Sequence, residues 1–201
     1  MEAFLLLGIP LFSAGFMCRK RTAERLSAFF SGLIMSSLLF VVRFFVFFSR
    51  NAHVDSFFYN FLRAYLFHIF LPCTICSAVF FFFAKFFAKK IDKSESFAPL
   101  MLGFYSLFVP YNVFGAIPVF SASDLFAVPL LFIAFPLIVR ALLKCKKIAL
   151  IPVAVLFSAV PAIAETAGYY SPAISCVIAS VYAILAVFLH TFFAEKANAI
   201  S

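Results

Sequence analysis

Apolar residues run in long stretches along this chain, and the polar residues gather in short clusters between them. A helix rising about 1.5 Å per residue needs about 20 apolar residues to cross a hydrocarbon layer about 30 Å thick. The stretches 3–18, 26–48, 57–88, 97–123, 125–143, 148–164 and 173–193 meet or approach that length. The first is short and ends at Arg19-Lys20-Arg21, and the sixth stops at Glu165, ahead of a Gly168-Tyr169-Tyr170-Ser171-Pro172 turn. The pattern predicts an all-α fold: a polytopic transmembrane helical bundle of about seven spans, in a single transmembrane domain over residues 1–201. The opening Met1-Glu2-Ala3 lacks a basic leader, so the first run reads as a retained span rather than a secretory signal.

Composition changes the solvent but not the elements. Hydrophobic residues make up 66% of the chain and charged ones only 12%, against about 25% charged in a soluble domain. So apolar a chain has no way to hide its surface from water. Its solvent is expected to be lipid.

Charge then sets the direction. A net charge of +8 would point to nucleic acid if it formed a basic face, but it lies in short runs beside apolar stretches, so no nucleic-acid partner is expected. One alternating set of loops and ends holds Arg19, Lys20, Arg21, Arg25, Lys89, Lys90, Lys93, Lys144, Lys146, Lys147 and Lys196, whereas the other holds Arg50 alone. By the positive-inside rule the N-terminus is outside and the C-terminus cytoplasmic. The expected location is the plasma membrane (the inner membrane in a bacterium), multi-pass, with the basic runs against anionic headgroups at the cytoplasmic face. No loop is long enough for a soluble catalytic domain. Other membrane subunits are the remaining class of partner.

Polar residues at membrane depth are expensive, and they mark candidate sites. Arg43 and Arg63 fall roughly 7–10 Å beneath the outer surface by the helical rise. The short connection between their spans would pack the two helices as an antiparallel pair, with Tyr59 and Asn60 one turn above Arg63. Asp55, Asp124 and Glu165 are the carboxylates expected at that level besides Glu2. Snorkelling or a structural ion pair to Asp124 or Glu165 competes with solute binding here. His68 lies deeper, as an interhelical hydrogen-bonding group; a proton relay would need a carboxylate, and none is expected at its depth. In the fourth span, Pro110-Tyr111-Asn112 is expected to break the helix and free carbonyls near Ser106 and Leu107, as broken helices do in transporters.

Other features carry less. Pro72-Cys73-Thr74-Ile75-Cys76 has Cys-x-x-Cys spacing, but it lies deep in an apolar span and reads as small apolar packing. No cofactor motif, metal set or nucleophile–base pair appears, so no enzyme, cofactor or metal is expected. Short echoes, such as Ile9-Pro10-Leu11-Phe12-Ser13-Ala14 against Ile117-Pro118-Val119-Phe120-Ser121-Ala122, are what so restricted an alphabet produces freely. The expected function is a small-solute transporter, or the membrane-embedded subunit of one, with Arg43, Arg63, His68 and Asn112 as substrate-binding residues. The alternative is a non-catalytic membrane subunit or scaffold of a larger envelope complex.

Overall fold

The computed structural model describes residues 2–17, 22–46, 56–87, 92–115, 123–144 and 151–198, and all of its elements are helical. Seven helices follow one another. α1 is Glu2–Met17 and α2 is Thr22–Val46. α3 runs unbroken over 57–87, as Phe57–Ala64, a π-helical stretch Tyr65–Phe70, and Leu71–Phe87. α4 is Lys93–Gly115. α5 opens with a π-helical turn, Ser123–Ala127, and continues as Val128–Lys144. α6 is Ile151–Tyr170 and α7 is Pro172–Asn198. The connecting basic runs, including Arg19 to Arg21, Lys89 and Lys90, and Arg50 with Asp55, lie outside the described residues.

Local chemistry sets the ends. Ser56, in an extended conformation (φ −138, ψ 114), caps α3 by accepting from the Tyr59 backbone N–H. Glu24 of α2 caps α4 from outside: one carboxylate oxygen accepts from the Asp92 N–H and the Ser96 hydroxyl, each at 2.9 Å. α6 does not stop at its glutamate. Ala, Glu and Thr continue the helix to Tyr170, and the real break is Ser171, since the residue before a proline is pushed out of the α region. Pro172 then starts α7, where its missing N–H costs nothing.

The contacts fix how neighbours run. Glu24 meets Asp92 and Ser96, and Phe40 stacks on Tyr111 with ring centroids 4.2 Å apart, so α2 and α4 are parallel. Between those points the helices touch through glycine: a Cβ on Gly32 would collide with the Leu100 carbonyl oxygen, and one on Gly103 with the Phe29 carbonyl oxygen. Small residues permit such close approach between membrane helices. Arg140 and Lys144, late in α5, reach Glu95 at the start of α4, so α5 runs antiparallel to α4. Phe57 packs on Tyr170, which sets α3 antiparallel to α6.

α4 is the axis of the bundle. Leu100, Met101, Leu102, Phe104, Tyr105 and Phe108 are all essentially buried, under α1, α2, α3 and α5. Among the described residues, five helices are long and apolar enough to cross a membrane: α2, α3, α5, α6 and α7. Of these, α5 is 72% buried over its apolar window and the other four only 22% to 28%. Their outward faces are apolar too: Phe30, Ile34, Leu38 and Val41 line α2, and Val177, Val181, Ile184 and Phe188 line α7. An exposed stripe as greasy as the core suits lipid rather than water.

One expectation is corrected here. α4 runs from Lys93 to Gly115 without interruption, with Pro110 inside it, so the break expected at Pro110 does not occur. Proline deletes one backbone donor, and the packing around a helix buried on most sides holds the remaining ladder straight.

Candidate functional site

Two prolines build the polar interior. Pro72 has no N–H to offer the carbonyl four residues back, which belongs to His68. The Tyr105 hydroxyl of α4 takes that place, donating to the His68 carbonyl at 3.1 Å. Pro161 likewise deprives the Phe157 carbonyl, and the Tyr182 hydroxyl of α7 donates to it at 2.8 Å. Each tyrosine thus satisfies an orphaned acceptor that hydrocarbon would leave unpaired. The π-helical stretch Tyr65–Phe70 directly precedes Pro72 and carries His68, and such widened turns are frequent at functional sites.

Against this stretch lies Glu165 of α6. His68 Nδ1 is 2.7 Å from one Glu165 oxygen and 3.0 Å from the other, with side-chain exposures of 17% and 13%. When Glu165 is ionised, the Nδ1–H donates and the carboxylate accepts. His68 also packs edge-on to Phe108 of α4, ring centroids 5.4 Å apart. Toward the middle of the bundle, Ser158 donates its hydroxyl proton to the Val155 carbonyl at 2.6 Å, so the Tyr65 hydroxyl, 3.3 Å away, is the donor to Ser158. Toward the end of α6, Tyr169 feels the charges of Glu165, Arg63 and Asp124. Cations and carboxylates from α3, α5 and α6 thus share one locality.

This overturns the expectation that His68 has no carboxylate at its depth. By charge alone Glu165 reads as a helix end, whereas α6 continues past it for more than a turn. The acid therefore hangs inside the bundle. Of the other candidate residues, Arg63 is partly buried on α3 near this cluster, and Asn112 is partly buried near the end of α4. Arg43 lies on α2, but its side chain is outside the described residues, so its convergence with Arg63 is not described.

A second cluster, at the opposite end, escaped sequence reasoning. Glu95 accepts from Arg25 and Arg140 at 2.6 Å each and from Lys144 at 2.8 Å. Burial pushes this carboxyl up, but hydrogen bonds from Lys144, Arg140 and Arg25 outweigh it and hold the pKa at about 2. Glu95 precedes the apolar run of α4, and the cluster ties α2, α4 and α5 at their basic ends. Its signal was an arginine, Arg140, inside an otherwise apolar run.

The Cys73–Cys76 pair behaves as expected of packing. Cys76 is buried, Cys73 partly so, and both are free thiols. The Tyr105 hydroxyl, already donating to His68, can only accept from Cys73 Sγ, 3.8 Å away. Among the described residues no group of three His, Cys, Asp or Glu side chains is placed to hold a metal. No protein-family model, curated protein or solved structure matches the chain.

Proposed function

We propose that this protein is a small-solute transporter, or the membrane-embedded subunit of one. In this reading it crosses the plasma membrane seven times with its N-terminus outside and its C-terminus in the cytoplasm. One observation carries it: a partly buried histidine and a partly buried glutamate meet at 2.7 Å between apolar helices. Ionisable groups at membrane depth are costly, and they mark substrate and ion pathways. The helix directions support the span count, because α2 and α4 run parallel while α5 opposes α4 and α3 opposes α6. The basic ends of α2, α4 and α5 gather at one side, as cytoplasmic ends should, facing anionic headgroups.

In this reading Arg43, Arg63, His68 and Asn112 contact the solute from the outer half. Purified full-length protein, screened by thermal shift against amino acids, sugars and carboxylates, tests it. The expected result is a monodisperse protein stabilised by one solute class, with the stabilisation lost in Arg63→Ala and Asn112→Ala. A polydisperse protein that no solute stabilises would favour the scaffold subunit instead.

A further inference from the structure

We propose that His68 and Glu165 form a proton-binding site that couples solute movement to the proton gradient; this rests on the transporter reading. The geometry supplies a donor and an acceptor 2.7 Å apart, both partly buried. A neutral imidazole, its Nδ1–H toward a carboxylate, carries one net negative charge with it, and one added proton, taken on Nε2 or on the carboxyl group, makes the pair neutral. Neutral is the state that a low-dielectric interior favours.

The titratable and charged groups around the pair come from α3, α4, α5, α6 and α7. α3 contributes Arg63 and Tyr65, α4 contributes Tyr105, α5 contributes Asp124, and α6 contributes Tyr169. α7 contributes Tyr182, whose hydroxyl proton is committed to the Phe157 carbonyl. Tyr105 holds the His68 carbonyl and Tyr65 is tied to Ser158, so the backbone beneath His68 is fixed while its ring meets the acid.

The proton's source is the outer aqueous phase and its destination the cytoplasm, one proton moving with each solute. The full chain in proteoliposomes tests this with two readouts. Infrared difference spectra between about pH 8 and about pH 5 should show the proton taken up by the pair, as a carboxylic-acid band that Glu165→Gln removes or an imidazolium band that His68→Gln removes. Should Glu165→Gln fail to fold, Glu165→Asp keeps a carboxyl and should retain a band with a shifted midpoint. Second, adding the stabilising amino acid, sugar or carboxylate outside wild-type vesicles holding a trapped pH dye should acidify the lumen, and Glu165→Gln should abolish the acidification. If a solute stabilises wild type but the lumen stays at constant pH and both bands are silent, the coupling is wrong and the transporter reading stands. If the bands titrate but no solute stabilises or moves, the transporter reading falls and the coupling with it.

Discussion

Replacing Glu95 with glutamine removes one negative charge that three cations share. The carboxylate takes hydrogen bonds from Arg25, Arg140 and Lys144 at 2.6 to 2.8 Å and is only 13% exposed. Its pKa of about 2, against an ordinary 4.5, corresponds to a preference for the charged form of about 3 kcal/mol. Removing one partner of a buried ion pair costs about 3–5 kcal/mol, and the cluster's place at the helix ends keeps the expected loss near the lower figure. In Glu95→Gln, Arg25, Arg140 and Lys144 repel across the junction of α2, α4 and α5. The pH dependence has a definite sign. A carboxyl depressed in the folded state stabilises fully above its ordinary 4.5, and that stability drains away as pH falls from there toward 2. Wild type should therefore lose melting temperature through this window, while Glu95→Gln starts lower and stays flat. Thermal unfolding in detergent, followed by tyrosine fluorescence in this tryptophan-free chain, measures both. A glutamine variant that melts with wild type at neutral pH would refute the argument.

Further substitutions probe the packing and the thiols. Gly103→Leu and Gly32→Leu drive a side chain into the backbone of the partner helix and should cost about 1–3 kcal/mol or more, seen as a lowered melting temperature; Gly15→Ala, with nothing within 4 Å of the added carbon, should be silent. Tyr105→Phe and Tyr182→Phe each orphan a carbonyl that proline has already deprived, costing about 1–3 kcal/mol, and Pro72→Ala should recover part of the Tyr105→Phe loss by restoring an N–H. Cys73→Ala and Cys76→Ala should leave solute stabilisation insensitive to oxidant and reductant; a redox-dependent shift in wild type that these variants lose would restore the Cys-x-x-Cys reading.

The helices were legible because their apolar runs are long, and the breaks between them carry lysine, arginine and proline. What failed was the meaning of single residues. Glu165 looks like a terminator when charge alone is weighed, yet Ala, Glu and Thr are ordinary helix residues and only Ser171-Pro172 stops the chain. His68 and Glu165 are 97 positions apart, and no local pattern reveals a contact between separate helices. Pro110 reads as a break in any isolated helix, but α4 is enclosed by four others and stays continuous. The tyrosine–carbonyl bonds show the same limit: proline's position foretells an orphaned carbonyl but not which neighbour satisfies it.

The central claim is a bundle that spans the bilayer with the Glu95 cluster inside and the α6–α7 turn outside. Replacing the five native cysteines and introducing single ones at Ser171 and Ser94 tests it with a membrane-impermeant thiol reagent on intact cells. The account predicts rapid labelling at Ser171→Cys, and labelling at Ser94→Cys only after the cells are opened. Labelling of Ser94→Cys from outside, with Ser171→Cys protected, would invert the orientation; equal labelling of both from outside would show that the end of α6 and the start of α4 do not lie on opposite sides of a membrane.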